Sequence, residues 1–403
     1  MNVIKFENPF RPGAGHIPPY LAGRTKEQDE VRRLLRQKII MENIVLTGLR
    51  GIGKTVLLES LKPIANQQGW LWAGNDLSES ASVTENNMVT RILADIALVT
   101  SSLVVREIKE IKIGFMRDER VINEPLAYDL LKQFFDKQAG LISDKLKATL
   151  EFVWSVMPQQ TINGIIFAYD EAQNLTDHAA KNEFPLSVLL DVFQSLQRKN
   201  IPFMLLLTGL PTLAPKLVEA RTYAERMFHI VTLHQLKDDD SRDAIVIPTQ
   251  KENCPLKFSK NTVNVIISLS GGYPYFIQFI CKEVYDVWIA KINEGEIPSV
   301  PTEEIIRKLD SDFFFGRWAK ATDRQKELMM IVPALKNCDE EFTVQELVET
   351  SKKGKNKPFS PSHINQMLLS LTNVGLVYKN RHGKYSLAVP LLSQFIKRQI
   401  KEN

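Results

Sequence analysis

The stretch Asn43-Ile-Val-Leu-Thr-Gly-Leu-Arg-Gly-Ile-Gly-Lys-Thr-Val56 decides how this chain folds. It opens with a short apolar run, typical of a buried strand, that stops at Gly48. Residues 48 to 55 then match the pattern G-x-x-x-x-G-K-[ST] of a phosphate-binding loop. A helix is predicted from Lys54 to Gln68 and a second strand at Trp70-Leu-Trp-Ala73. This order of strand, glycine loop, helix and strand indicates a parallel α/β sheet.

The residue types of the loop suit the phosphates of a nucleotide. Its glycines let backbone N–H groups converge on phosphate oxygens where a Cβ would intrude, and the helix that follows adds its positive end. Lys54 brings a cation to the β- and γ-phosphates, and the Thr55 hydroxyl is a ligand for Mg²⁺. We therefore expect ATP and Mg²⁺ as cofactors. The expected nucleotide contacts in the loop are Gly48, Arg50, Gly51, Ile52, Gly53, Lys54, Thr55 and Val56.

A second motif lies at the end of another apolar strand, Ile165-Ile-Phe-Ala-Tyr169. Asp170 follows this strand directly and is expected to hold Mg²⁺ through water, while Glu171 is expected to orient and deprotonate the attacking water. The alternative is that the two carboxylates only cap the next helix. Because the phosphate loop precedes them in the same chain, the two motifs support each other as an ATP site.

Two more apolar runs, Phe203–Leu207 and Phe228–Leu233, bring the predicted sheet to five parallel strands. Thr208 ends the first of these runs. Because parallel strands end at one edge of a sheet, Thr208 is expected beside Asp170, where it contacts the γ-phosphate or the water. The alternative is that Thr208 only starts a turn.

Two arginines follow on the next helix, Arg221 and Arg226. Either is a candidate arginine finger that reaches the γ-phosphate on a neighbouring subunit of a homo-oligomer. The alternative for both is a surface salt bridge with Glu219 or Glu225.

From about residue 236 onward, the spacing of apolar residues predicts helices and no further strands of the parallel sheet. We predict an ATPase core with an N-terminal arm (1–235), a helical lid (236–316) and a winged-helix domain (317–403). The winged-helix prediction rests on three helices, Asp323–Leu335, Thr343–Thr350 and Pro361–Val374, followed by a ribbon that turns at Gly383. The segment 104–150 alternates in part like a strand or hairpin, and serves either as a partner site or as extra packing surface.

Composition excludes several classes of protein. Of 403 residues, 44% are hydrophobic and 24% are charged, which excludes a disordered or collagen-like chain. The three cysteines (Cys254, Cys281 and Cys338) have neither metal-binding nor dense disulfide spacing, so reduced thiols are expected. Neither a signal peptide nor a membrane-spanning run is predicted, and a cytoplasmic protein with no membrane partner is expected.

Positive charge is concentrated at one end of the chain. Residues 317–403 hold 15 Lys and Arg against 8 Asp and Glu, whereas residues 1–316 carry a net charge of −3. This asymmetry indicates either a polyanionic partner or a solvated lysine-rich surface.

With these residues in view, the chain resembles the AAA+ superfamily of P-loop ATPases. Within it, the resemblance is to the branch shared by origin-recognition-type initiators and STAND signalling ATPases. Pro18-Pro-Tyr-Leu-Ala-Gly-Arg24 is similar to the segment that packs on adenine, which implies nucleotide contacts by Tyr20, Leu21, Gly23 and Arg24. Asp170–Leu175 is similar to the second motif of ATPases that assist transposition and secretion. Tyr223–Phe228 resembles the arginine-finger helix, which favours Arg226.

The segment Gly271-Gly-Tyr-Pro-Tyr275 resembles the lid motif of STAND-type ATPases. Initiators place a γ-phosphate-sensing arginine here. This chain departs from that pattern with Pro274, so sensing of the nucleotide by the lid does not follow from the resemblance. The lid is still expected to cover the base, with Pro274 as a nucleotide contact.

The resemblance further implies a C-terminal winged helix, which the family often uses on duplex DNA. Pro361–Met367 is the candidate reading helix, and it is flanked by basic residues that suit DNA phosphates: Lys352, Lys353, Lys355, Lys357, Lys379, Arg381 and Lys384. We predict an ATP-controlled switch with slow hydrolysis that associates with DNA. The alternative is a signalling or defence ATPase whose winged helix contacts a protein.

Overall fold

The structure, a computed structural model, describes residues 7–13, 15–37, 39–113, 116–158, 161–250, 254–293, 300–353, 357–381 and 383–402. Contacts between residues group the chain into two compact units. The α/β unit comprises Lys26–Thr47 and Leu57–Thr232. The C-terminal unit comprises Met1–Thr25, Gly48–Val56 and Leu233–Asn403. The predicted division into three domains stays a prediction.

The α/β unit contains a five-stranded parallel sheet and a separate hairpin. Its strands are β1 (Asn43–Thr47), β2 (Trp70–Ala73), β3 (Val104–Ile113), β4 (Met116–Pro125), β5 (Gly164–Tyr169), β6 (Phe203–Gly209) and β7 (Phe228–Thr232). The sheet has the order β2-β5-β6-β1-β7, with Ile44 opposite Leu206 and Ile166 opposite Met204. The five parallel strands predicted from the sequence are confirmed.

The central strands of this sheet are apolar because both faces are covered. β1, β5 and β6 are buried along their whole length, whereas the edge strand β7 is exposed at Ile230 and Thr232. Parallel strands that are buried on both faces have this continuous apolar character. Phe167, Phe193 and Phe203 meet edge to face in the core, with ring centroids 4.8 and 5.6 Å apart.

The helices of this part of the chain are α1 (Thr25–Leu34), α2 (Lys54–Gln67), α3 (Glu85–Thr100), α4 (Tyr128–Lys137), α5 (Ile142–Val156), α6 (Pro185–Arg198), α7 (Leu213–Ala220) and α8 (Ala224–Met227). The helix that was predicted to carry both Arg221 and Arg226 is divided in two, and Arg221 lies in extended backbone between the parts. The Thr84 hydroxyl caps α3 by accepting a hydrogen bond from the Asn87 N–H at 3.1 Å.

The segment after α3 forms a long antiparallel hairpin. β3 pairs with β4 from Val104 opposite Pro125 to Ile113 opposite Met116. The hairpin is tied to α3 at its base, because the Thr100 hydroxyl donates to the Leu126 carbonyl at 2.7 Å. The predicted hairpin is therefore present, and the role of the segment 104–150 stays open.

The C-terminal unit is largely helical and has its own core. Its elements are α9 (Asp238–Val246), α10 (Lys260–Ser270), α11 (Pro274–Asn293), α12 (Thr302–Leu309), a π-helical turn (Asp310–Phe315), α13 (Gly316–Trp318), α14 (Asp323–Met329), β8 (Phe342–Thr343), α15 (Val344–Lys353), α16 (Pro361–Val374), β9 (Val377–Arg381), β10 (Lys384–Leu387) and α17 (Leu392–Glu402). Buried residues from the arm, the lid and the last domain share one hydrophobic cluster.

The last of these elements form a winged helix. β8, β10 and β9 make a three-stranded antiparallel sheet in which Lys384 lies opposite both Thr343 and Arg381. The predicted helix Asp323–Leu335 is wrong at its end. α14 stops at Met329 and a 3₁₀ turn follows, because Pro333 lacks the N–H that would continue an α-helix.

Asn43 fastens the start of β1 to its surroundings in the α/β unit. Its buried amide oxygen accepts from the Leu205 N–H at 2.8 Å, and its amide nitrogen donates to the Met227 carbonyl at 3.2 Å. Asn43→Ala leaves both backbone groups unpaired, so we expect a loss of about 1–3 kcal/mol in the free energy of unfolding. Urea unfolding followed by circular dichroism measures it.

The matched control is Asn66→Ala at an exposed position of α2, where we expect a change within about 0.5 kcal/mol. Equal unfolding midpoints for the two variants would contradict the fastening role of Asn43.

Candidate functional site

The predicted phosphate loop has the backbone that its glycines suggest. Gly51 (φ +75°) and Gly53 (φ +92°) are left-handed, a conformation that residues with a Cβ rarely adopt. Lys54 begins α2 and is 7% exposed. Its ammonium donates to the carbonyl oxygens of Gly48 at 3.0 Å and Leu49 at 3.1 Å, so the cation lies over the loop itself.

Arg24 braces the loop from the N-terminal arm. It is 5% exposed and donates from Nη2 to the carbonyl oxygens of Ile52 at 3.0 Å and His234 at 2.9 Å. These bonds satisfy two backbone acceptors, one of which belongs to the loop. The sequence did not predict this bracing role, and a contact between Arg24 and adenine stays a prediction.

The rest of the arm segment packs beside the start of α9. A Cβ on Gly23 (φ +63°) would lie 2.8 Å from Cγ of Asp240, so only glycine fits there. Tyr20 is 37% exposed and Leu21 is half-buried. Both side chains keep some surface accessible, as an adenine contact requires, and that role stays a prediction.

The lid motif contacts the phosphate loop directly. The Tyr275 N–H donates to the Gly51 carbonyl at 3.1 Å. A Cβ on Gly51 would lie 3.1 Å from Cβ of Tyr275, and one on Gly53 would lie 4.0 Å from Cγ of Pro274. Pro274, predicted as a nucleotide contact, is thus placed against the loop. The lid motif alone indicates no role for Tyr275, whereas the structure shows that its backbone N–H holds the phosphate loop.

In the α/β unit, Asp170 and Thr208 meet at the carboxyl ends of β5 and β6. Asp170 is 3% exposed and Thr208 is fully buried, and the Thr208 hydroxyl donates to Oδ1 of Asp170. The same oxygen accepts the Glu171 N–H at 2.7 Å. The sequence prediction that Thr208 lies beside Asp170 is confirmed.

Glu171 has a left-handed backbone (φ +50°), which is uncommon for a residue with a Cβ and often marks a functional position. Its Oε2 accepts from the Gln173 side-chain amide, and the amide oxygen of Gln173 accepts from the Leu210 N–H at 3.0 Å. Gln173 therefore positions the carboxylate that was predicted to activate water. The sequence placed Gln173 in the motif but did not single it out.

The candidate metal ligands are oxygen donors. Thr55 lies half-buried in the first turn of α2, and Asp170 directly follows β5. A hydroxyl and a carboxylate suit Mg²⁺, which binds through a few protein oxygens, waters and substrate phosphates. Across the described residues, no group of three or more His, Cys, Asp or Glu side chains has metal-binding geometry.

The two candidate arginine fingers differ in their surroundings. Arg221 makes a two-point ion pair with Asp191, at 2.8 Å from Nε and 2.7 Å from Nη2. Tyr223 donates to the same carboxylate at 2.6 Å, and together these donors hold the pKa of Asp191 below its ordinary value against the opposing effect of burial. The alternative partners expected for Arg221, Glu219 and Glu225, do not take this place. Arg226 is exposed on α8.

Arg221 and Arg226 therefore differ in what their removal costs. Arg221→Ala breaks the ion pair with Asp191 and lowers the free energy of unfolding by about 1 kcal/mol, because both side chains are partly exposed. Arg226→Ala, the matched control, should leave the free energy of unfolding unchanged within about 0.5 kcal/mol. Thermal unfolding of both variants measures the difference, and equal melting temperatures would contradict it.

The described residues contain no helix that is long and apolar enough to cross a membrane. No protein-family model matches the sequence, and a search of curated proteins finds no match.

Solved structures do match over nearly the whole chain. The ORC2 protein of Aeropyrum pernix in ADPNP–ADP complexes is 13% identical, with a TM-score of 0.55 and 97% of each chain covered. The ADP form of the same protein is 14% identical, with the same TM-score and coverage. The ORC1 protein of Aeropyrum pernix, in complex with DNA, matches with a TM-score of 0.48. The chain therefore shares the fold of the ORC2 protein of Aeropyrum pernix, which agrees with the fold class predicted from the sequence.

Proposed function

We propose that this protein is an ATP-binding and ATP-hydrolysing molecular switch that associates with duplex DNA through its winged helix. The observation that carries the proposal is the phosphate loop, in which two left-handed glycines precede a lysine in the first turn of a helix. A glycine loop at a helix N-terminus binds phosphate through backbone N–H groups.

Nucleotide binding uses groups that the C-terminal unit brings to the loop. In the structure the Lys54 ammonium donates to two carbonyl oxygens of the loop. When nucleotide binds, it donates to the β- and γ-phosphates instead. Arg24 and Tyr275 hold the loop backbone through Ile52 and Gly51. The similar ORC2 protein of Aeropyrum pernix was solved with ADPNP and ADP, which supports the same ligand class for this chain.

Hydrolysis is assigned to the carboxylates at the strand ends. β1, β5 and β6 are parallel neighbours and end at one edge of the sheet, and the phosphate loop follows β1 without an intervening residue. Thr55 and Asp170 would hold Mg²⁺, which would supply charge neutralisation on the phosphates. Glu171, oriented by Gln173, takes a proton from a water that attacks the γ-phosphorus as the bond to ADP breaks. Thr208 holds Asp170 in place.

DNA association is assigned to the basic surface of the winged helix. Lys352, Lys353, Lys357 and Lys379 are exposed, and Lys384 is half-buried, while Lys355 lies outside the described residues. The candidate reading helix α16 exposes Ser362, His363, Asn365 and Gln366, which are polar, and it exposes no Lys or Arg. We therefore propose that the lysines contact phosphates and that α16 adds little sequence preference.

An oligomer with an arginine finger in trans remains part of the proposal and now rests on Arg226. Arg226 is exposed, whereas Arg221 is held by Asp191 of its own chain. Cys254, Cys281 and Cys338 are free thiols, which suits the proposed cytoplasmic location.

The ATP site is tested by two substitutions in the full-length protein. Lys54→Ala removes the cation on the phosphates and should lower ATP affinity on the order of a hundredfold. Glu171→Gln keeps the shape of the side chain but loses the base, so ATP affinity should persist while kcat falls on the order of a hundredfold or more. Titration of fluorescent ATP and phosphate-release kinetics measure the two quantities.

Lys62→Ala, at an exposed position of α2, is the matched control and should behave as wild type in both assays. ATP affinity retained by Lys54→Ala would overturn the site, and wild-type turnover by Glu171→Gln would overturn the role of Glu171 alone.

DNA association is tested by replacing Lys379, Arg381 and Lys384 together with alanine. Duplex affinity should fall, and the slope of log K against log salt should decrease in magnitude by up to about 3, because up to three phosphate contacts are lost.

The control replaces Lys62, Lys137 and Lys181, exposed cations of the α/β unit, with alanine and changes the net charge by the same amount. Equal duplex affinity for the two triple variants would move the contact elsewhere. An absence of duplex binding by wild type would favour a protein partner and the signalling alternative.

A further inference from the structure

The carboxylate that is proposed to activate water is not held in place by packing. Glu171 is exposed, and its backbone is left-handed (φ +50°). The side-chain amide of Gln173 donates a hydrogen bond to Oε2 of Glu171 and so fixes where this carboxylate lies. The position of the Glu171 carboxylate therefore depends on what holds Gln173.

The side chain of Gln173 is oriented by the backbone at the end of β6. Its amide oxygen accepts from the Leu210 N–H at 3.0 Å. Because this oxygen is occupied, the NH₂ group is the end of the amide that faces Glu171. A Cβ on Gly209 would lie 2.6 Å from the same amide oxygen, so a larger residue there would push the amide out of place.

The backbone of Gln173 is held by Lys216 of α7. Gln173 lies in a 3₁₀ turn (Ala172–Asn174), whose backbone hydrogen bonds use the carbonyl groups of Glu171 and Ala172. The Gln173 carbonyl accepts instead from the Lys216 ammonium at 2.6 Å. All of these residues belong to the α/β unit. The turn that follows Glu171 is therefore tied to α7 as well as to β6.

Lys216 gives up part of its hydration to make this hydrogen bond. Its side chain is half-buried, and burial lowers the pKa of the ammonium below its ordinary value, against the opposing charges of Asp177 and Glu219. A charged donor away from bulk water forms a stronger hydrogen bond than a neutral donor does. Removal of the ammonium takes this donor from the Gln173 carbonyl and loosens the turn that carries the amide.

We propose that Lys216 is a positioning residue for ATP hydrolysis, which holds Gln173 and, through it, the Glu171 carboxylate where it meets the attacking water. The inference rests on the proposed function, because it takes Glu171 as the base. Positioning matters for rate, since a displacement of about 1 Å from the productive geometry can cost about a hundredfold. Lys216 lies 43 residues after Gln173 and outside any motif, so sequence patterns did not indicate it.

The test is Lys216→Met in the full-length protein, which keeps an unbranched chain of similar length and removes the donor. The kcat of ATP hydrolysis should fall on the order of tenfold, whereas ATP affinity should change by less than about twofold, because the phosphate loop is unaltered. Lys216→Arg keeps a charged donor and should restore most of the lost kcat. Phosphate-release kinetics and titration of fluorescent ATP measure the two quantities. Lys181→Met, at an exposed lysine of the same unit, is the matched control and should behave as wild type.

A double variant distinguishes positioning from a general effect on stability. Because Lys216 acts through Gln173, Lys216→Met should add less than about twofold to the loss of kcat caused by Gln173→Ala. An equal loss from Lys216→Met in the wild-type and Gln173→Ala backgrounds would overturn the inference. A lowered melting temperature with unchanged kcat of the folded protein is the result of a purely structural role, and it would overturn the inference too.

Lys216→Ala serves as the second variant if the methionine variant fails to fold, since alanine favours a helix and puts no apolar chain against the turn. Turnover at the wild-type rate by either folded variant would overturn the role of Lys216. Wild-type turnover by Glu171→Gln would instead overturn the proposed role of Glu171. Loss of turnover in Glu171→Gln, together with full turnover in Lys216→Ala, would leave the proposed function intact and overturn only the inference about Lys216.

Discussion

A loop that turns through left-handed backbone at Gly51 and Gly53 leaves its carbonyl groups in need of donors, and the C-terminal unit is organised around supplying them. Arg24 donates to Ile52, and the Tyr275 N–H donates to Gly51. The Lys54 ammonium takes the carbonyls of Gly48 and Leu49. Because each donor comes from a different part of the sequence, the arm, the lid and α2 are all fixed to one short backbone segment.

The α/β unit meets a different constraint, the burial of polar groups at the ends of apolar strands. Asp170 is almost fully buried, and burial of an unpaired carboxylate would be costly. The Thr208 hydroxyl, which comes from the neighbouring strand β6, donates a hydrogen bond to the Asp170 carboxylate. The backbone N–H of the following residue, Glu171, donates to the same oxygen. The same arrangement places Glu171 in an uncommon backbone conformation, with its carboxylate held by Gln173. The hydrogen bonds that satisfy the buried Asp170 carboxylate therefore lie next to the side chain that is proposed to activate water.

The aromatic residues between α11 and α17 connect the phosphate loop with the winged helix. Tyr275 touches the phosphate loop, Phe313 and Phe314 continue the contact, and Phe395 belongs to the winged helix. Close-packed aromatic rings transmit displacement because they have little free space in which to absorb it. The aromatic contacts therefore run without interruption from the phosphate loop to α17.

The sequence by itself determined the phosphate loop, the five parallel strands, the inserted hairpin and the winged helix, because each is specified by residues close together in the chain. The apolar run before Gly48 and the turn at Gly383 are local patterns that packing did not override. The end of α14 at Met329 was missed although Pro333 was visible. Only the tertiary structure decided which distant groups meet: Asp191 with Arg221, and Gly51 with Tyr275. Such partners are brought together by the packing of whole helices and strands, and no spacing within the sequence encodes them.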